Sequence, residues 1–305
     1  MEASIKEPIS LQYQNHTIFQ LPPISQGVVH LETLAILQYL PINRYPANSA
    51  MQIHHMVEAK KLAFNDRILH FGDPKYVANP IDFVLSKEHT RQLKEKIDPN
   101  SCLDIDDLFK HSESHTTSMV VIDEWGNACS FIHSISDVFG SGVMCPKTGV
   151  IFNNRQGTNF NLSENHPNRI QPRKKTMSTL ITYMIFNEAN QLRFIGNTPG
   201  GDNQPQWNTQ TIVNLLDYGM RIDEALEQPR WFDVQTSNPQ NKYKENILTI
   251  ESSVGQSVID QLIQLGHKVT VVDMCSGASQ LIEIDSKGRY LGVSDFRAEG
   301  IAIGY

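Results

Sequence analysis

The 305 residues carry 40% hydrophobic and 19% charged side chains and a formal net charge of −7, the profile of a globular chain with enough length for one large or two ordinary domains. The acidic balance argues against nucleic acid or an anionic membrane as a main partner, because both call for a basic face. No apolar run approaches the roughly 18–20 residues of a membrane span, and the opening MEASIKEPIS lacks the build of a signal peptide, which favours a cytoplasmic location.

In chain order, GVVHLETLAILQYL (27–40) has apolar residues at helical spacing, and residues 49–73 predict a longer amphipathic helix stopped by Gly72 and Pro74. A short charged helix follows over 86–98, and 99–115 reads as a loop or linker. The region before residue 115 is thus mainly helical, and strands dominate after it. TTSMVVID and ACSFIHSI flank EWGN as a hairpin, GVIFNN reads as a strand, and STLITYMIFN and QLRFIGN form a second hairpin. Two helices (208–220 and RIDEALEQP), the strand ILTIE, the helix GQSVIDQLIQLG and the strands KVTVVD, SQLIEID and YLGVSD complete the chain. Hairpins with helices between them predict an α+β core of antiparallel sheets. Cys102, Cys129, Cys145 and Cys275 lack C-x-x-C spacing and read as mostly buried thiols. Eleven histidines include no H-E-x-x-H pair, and the adjacent His54 and His55 point different ways on a helix, so no metal is expected.

Three stretches bear on chemistry. Thr116-Thr117 stands where the linker meets a strand; threonine often opens strands, and its hydroxyl is a nucleophile only with a base beside it. An N-terminal threonine supplies that base from its own α-amine, which would require a cut between His115 and Thr116. Pro199-Gly200-Gly201 after a strand is either a tight turn or a set of backbone N–H groups aimed at one spot, the geometry of an oxyanion hole. Arg155, after Asn153-Asn154, is either a solvated surface group or a bidentate partner for a substrate carboxylate.

Taken together, TTSMVVIDEWGNACSF, FGSGV…TGVIFNN, PGGDNQPQW, LLDYGMRIDEALEQPRW and the terminal GVSDFRAEGIAIGY resemble the gamma-glutamyltranspeptidase family of N-terminal-nucleophile hydrolases. The upstream LPPISQGVVHLETLAIL and MVEAKKLAFNDRILHFGDP resemble the end of that family's large subunit. The resemblance implies a four-layer αββα sandwich and a precursor that cleaves itself between His115 and Thr116. Residues 1–115 would be the C-terminal part of the large-subunit-like region, and 116–305 the small-subunit-like catalytic region, the two fragments staying associated. It also implies that Thr116 is the nucleophile, that Ser134 orients it, and that Gly200 and Gly201 form the oxyanion pair. Ser136, Arg155, Thr158 and Thr176 fall at substrate-binding positions.

The chain departs from the transpeptidase pattern at several of these. Ser136 stands where bacterial members often have Asn, Arg155 and Thr158 replace a Gln and an Asp, and Lys175-Thr176 replaces paired serines. Losing an Asp and gaining an Arg shifts local charge by two units towards a more anionic ligand, and NNR, HPN and TPGGDNQPQW look more like the acylase and oxamate-amidohydrolase-like branch. The expectation is an enzyme of the gamma-glutamyltransferase and glutathione-hydrolase type, acting on a small-molecule amide by hydrolysis or acyl transfer without a cofactor. Family precursors are longer at the N-terminus, so the chain is expected to be truncated there. The rival reading is an inactive family member serving as a structural or interaction partner.

Overall fold

The computed structural model describes residues 4–104, 116–236 and 245–305. Two strands open it, β1 (Ile9–Tyr13) and β2 (His16–Gln20), followed by helices α1 (Gly27–Leu37), α2 (Ala50–His70), α3 (Ile81–Val84) and α4 (Lys87–Glu95). The hairpin β3 (Thr116–Ile122) and β4 (Ala128–Ser134) and a short helix α5 (Arg155–Asn159) come next. Strands β5 (Thr182–Asn187) and β6 (Leu192–Asn197) lead to helices α6 (Gln204–Leu216) and α7 (Ile222–Glu227). The chain closes with β7 (Trp231–Thr236), β8 (Glu245–Glu251), α8 (Gln256–Gln264), β9 (Val269–Val272), β10 (Gln280–Ile284) and β11 (Tyr290–Ser294).

The central sheet runs β1-β2-β5-β6-β10-β11, and its pairings are all antiparallel. Strands from both sides of residue 115 therefore share one sheet. The first two strands escape the mainly helical reading of the N-terminal region. Each has only five residues, and pairing with the distant β5 (Ile18 opposite Ile185) is what holds them. GVIFNN is reduced to a single bridge between Met144 and Ile151. The β8–β9 pair is parallel, joined through α8 as a crossover, where antiparallel pairing was expected.

Helix α1 is buried on every side, its His30, Glu32 and Thr33 included, and it packs between the sheet and α2, α4 and α6. Ser49 caps α2 and Ser86 caps α4 by accepting backbone N–H groups from Gln52 and His89. Alternation along the strands separates two faces of the sheet. Tyr183, Ile185, Phe194 and Leu281 join the helical core, whereas Asn197 points the opposite way and meets the β3–β4 hairpin. Layers of helices, sheet and hairpin result, and the outer face of the hairpin leaves Met119, Val121 and Phe131 exposed. Of the cysteines, only Cys275 is buried. Cys129 is exposed because it falls on that outer face, and Cys102 and Cys145 are half-buried. No helix among the described residues is long and apolar enough to cross a membrane.

Buried charge locks the C-terminal part of the fold. Arg297 grips Glu251 through Nε (2.6 Å) and Nη2 (2.7 Å), and Glu251 also accepts the backbone N–H groups of Arg230 and Cys275. Arg230 in turn pairs with Asp295 at 2.5 Å. Burial pushes the Glu251 carboxyl up, but these hydrogen bonds outweigh it and hold it below its ordinary 4.5. A depressed folded-state value means the contribution is present above pH 4.5 and lost as the pH falls through the folded value. Glu251→Ala is expected to destabilise by about 3–5 kcal/mol by stranding Arg297. Urea midpoints at pH 6 and pH 3.5 check this: the acid loss of stability should be smaller in Glu251→Gln than in wild type.

Candidate active site

The strand period decides between the two threonines. Along β3, Thr116, Ser118, Val120 and Ile122 face inward and Thr117, Met119 and Val121 face outward. Thr116 is therefore on the side of the sheet, half-buried, directly opposite Ser134 in the β3–β4 register. His115 and the bond before Thr116 lie outside the described residues. Further along the same inward face, Ser130 donates to the Gly196 carbonyl and receives the Asn197 side-chain amide at 2.8 Å. Asn197 also binds the carbonyls of Met119 and Phe131, clamping the hairpin to the end of β6. The next residues are Thr198, Pro199, Gly200 and Gly201.

A second tie runs from the other end of the hairpin. Ser134 Oγ accepts the Ser136 backbone N–H (3.0 Å) and Arg155 Nη2 (3.3 Å). Arg155 Nη1 donates to Thr179 Oγ1 at 2.7 Å. The Thr179 carbonyl accepts Gln26 Nε2 (2.7 Å), which also donates to the Gly201 carbonyl (2.9 Å). Gln26 is fixed in turn by Arg67, whose Nη1 reaches Gln26 Oε1 (2.6 Å) and Asp202 Oδ1 (2.7 Å). The strand position opposite Thr116 and the Gly-Gly loop thus belong to one hydrogen-bonded network. Arg155 is a buried member of it rather than a surface group. Burial lowers its pKa, Arg67 lowers it further, and the charges of Asp202 and Asp137 oppose the shift.

The Gly-Gly loop needs its glycines. Gly200 has φ 132° and Gly201 φ 57°, both in the region that favours glycine. A Cβ on Gly200 would lie 2.2 Å from Trp207 Cζ3. Trp207 is itself fully buried, bonded through Nε1 to the Trp231 carbonyl and covered by the Arg230 guanidinium 5.1 Å from its ring. The loop therefore rests on a rigid indole floor.

The remaining predicted positions divide. Ser136 is fully buried at φ 77°, unusual for a residue with a side chain, and its Oγ has no hydrogen-bond partner among the described residues. Thr176 is buried, but its hydroxyl is engaged with Asn168, which also holds the end of α5 and the Met177 backbone. The side chain of Thr158 lies outside the described residues. Sequence reasoning gave no role to Gln26, Arg67, Thr179, Asp202 or Trp207. The last two sit inside the quoted PGGDNQPQW, whereas nothing local to Gln26 or Arg67 signals contact with it.

Comparison with known proteins agrees with this architecture. The family model for gamma-glutamyltranspeptidase matches residues 1–305. The glutathione hydrolase-like YwrD proenzyme of Bacillus subtilis is 36% identical over 97% of this chain and 55% of its own length. The oxamate amidohydrolase proenzyme of Klebsiella pneumoniae is 32% identical over 98% of this chain and 55% of its own. Among solved structures, cephalosporin acylase from Bacillus halodurans superposes with a TM-score of 0.81 at 28% identity, over 98% of this chain and 53% of that one. The chain thus spans about half the length of the relatives it matches. With the match running from its first residue to its last and the fold shared, the chain belongs to the gamma-glutamyltranspeptidase family.

Proposed function

We propose that this protein cleaves an acyl–nitrogen bond with Thr116 as an autoprocessed N-terminal nucleophile, passing the acyl group to water or to an amine. The observation that carries the reading is the inward-facing Thr116 opposite a Ser134 that is hydrogen-bonded into the same network as the Gly200-Gly201 loop. The YwrD and oxamate amidohydrolase relatives are proenzymes, which supports processing here, with residues 1–115 and 116–305 as the two products, held together by the sheet that both supply.

In processing, Thr116 Oγ attacks the His115 carbonyl, the peptide C–N bond breaks as its nitrogen takes a proton, and water hydrolyses the resulting ester. The freed α-amine has a reference pKa of about 7.7–8.0, so an appreciable fraction is unprotonated near neutral pH. In turnover that amine takes the Thr116 hydroxyl proton as Oγ bonds to the substrate carbonyl carbon. The same proton then goes to the leaving nitrogen as the C–N bond breaks. Backbone N–H groups of Gly200 and Gly201 stabilise the oxyanion, and water or an amine releases the acyl group. Ser134 Oγ is held by the Ser136 N–H and by Arg155, which suits an orienting role.

Arg155, and a Ser136 hydroxyl with no hydrogen-bond partner among the described residues, favour a substrate whose acyl end carries a carboxylate. The test is a panel assay of the purified protein: ammonia release from oxamate, and anilide release from a gamma-glutamyl anilide with and without a dipeptide acceptor. We expect turnover with at least one amide and a preference for the anionic one. No release from any amide by protein that contains the 116–305 fragment would reject the reading.

A further inference from the structure

Away from the network around Thr116, α1, α2 and α4 meet over three side chains that the proposed chemistry does not use. Glu32 projects from α1, Asp66 from α2 and His89 from α4, and one ligand atom of each lies within 4.8 Å of the other two. His89 Nε2 stands 2.5 Å from Asp66 Oδ2 and 3.6 Å from Glu32 Oε1. Glu32 is 1% exposed and Asp66 4%. Burial first, and the Asp66 charge second, hold the Glu32 carboxyl well above the usual carboxylate range. Glu32 Oε1 is buried with no hydrogen-bond partner among the described residues. A buried acceptor with nothing to accept is rare in folded proteins, and this one faces the gap that His89 borders.

We propose that Glu32, Asp66 and His89 bind one divalent transition-metal ion of the Zn²⁺ or Mn²⁺ class, which clips α1, α2 and α4 together. Two carboxylates and one imidazole suit such ions better than Mg²⁺ or Ca²⁺, which take mostly oxygen ligands in larger number. Donors at 2.0–2.2 Å around a tetrahedral ion stand about 3.4 Å apart. The two separations from His89, 2.5 and 3.6 Å, straddle that spacing, and the third lies within 4.8 Å. An ion takes its carboxylate ligands deprotonated, so binding is expected to release protons to solvent. The His89 side chain is 11% exposed and gives the ion an entry path. A second cluster, His54, Glu58 and His267, does not compete. Glu58 already accepts Lys61 Nζ at 2.8 Å and the Leu103 N–H at 2.6 Å, and the Lys61 ammonium repels a cation there.

The test titrates tag-free, chelator-treated protein with ZnCl₂ and with MnCl₂ by calorimetry. Metal retained after desalting is counted, and melting is followed by circular dichroism. We expect one equivalent of Zn²⁺ or Mn²⁺ per chain and a raised melting temperature. Glu32→Gln and His89→Ala should each weaken binding by more than the about 10–100-fold that loss of an outer partner causes. His89 is at the rim, so His89→Ala reports even where Glu32→Gln perturbs folding. His267→Gln and Thr116→Ala should bind as wild type does, the latter separating this site from the proposed catalysis. No retained equivalent in the wild type, unchanged affinity in both Glu32→Gln and His89→Ala, or loss confined to His267→Gln would overturn the proposal.

Discussion

Thr116→Ala is expected to leave the chain uncut and to lower turnover by about 10⁴-fold or more, the scale on which nucleophile removal acts in hydrolases of this logic. The same hydroxyl attacks in processing and in turnover, so both fail together. The fold should survive, because Thr116 is half-buried at the start of a strand and β-propensity differences span only about 1 kcal/mol. Thr116→Ser keeps an Oγ and should retain measurable cleavage and activity. Thr117→Ala is the sharpest control. Its side chain points to the outer face of the hairpin, so it should process and turn over as wild type does. Mass spectrometry for the 116–305 fragment, together with anilide or ammonia release, reads both effects. An uncut wild type in fresh and aged samples alike would remove the processing step, and a dead Thr117→Ala beside an active Thr116→Ala would reassign the nucleophile.

Gly200→Ala is expected to lower kcat by about 10²–10³-fold, corresponding to the 2.7–4 kcal/mol attached to one oxyanion donor. Two physical terms displace the loop. A residue with a Cβ at φ 132° is strained by roughly 1–3 kcal/mol, and the new methyl would lie 2.2 Å from Trp207 Cζ3. The indole cannot yield, with Nε1 bonded to Trp231 and Arg230 packed over the ring. The peptide must therefore move, and its N–H with it. Because the loss falls on the transition state, KM should change less than kcat. Gly219→Ala separates strain from site damage: it has φ 65° but nothing within 4 Å of its Cβ, so it should lose some stability and keep its kcat. A Gly200→Ala variant within threefold of wild-type kcat would place the oxyanion donors elsewhere.

Much of the fold was legible locally. The periodicity of 27–40 and 49–73 corresponds to α1 and α2, EWGN turns the β3–β4 hairpin, and α7 falls within RIDEALEQP, whereas α6 begins at Gln204 and ends at Leu216, earlier at both ends than the expected 208–220. Elements whose stability is borrowed were not. HTIFQ has too few residues to announce a strand and becomes one only against β5, while GVIFNN has no neighbouring strand among the described residues beyond the Met144–Ile151 bridge. The site divides in the same way. Gly200-Gly201 and the strand-opening threonines are visible as residue types in order, but Arg155 reads equally well as a solvated cation until the fold buries it against Ser134 and Thr179.

The sequence by itself determined the long helices and the two hairpins, the placing of Thr116 at the head of a strand, and the motifs that tie the chain to its family, because these rest on local propensity and residue identity. Only the tertiary structure decided that Thr116 rather than Thr117 faces inward, and that Ser134, Arg155, Thr179, Gln26 and Gly201 form one network. Gln26 and Gly201 are 175 residues apart, and Arg67 and Asp202 are 135 apart. No periodicity spans such intervals. Contacts of that range exist only once burial has brought the helical layer and the sheet together and left each polar group to find the partner that burial makes necessary.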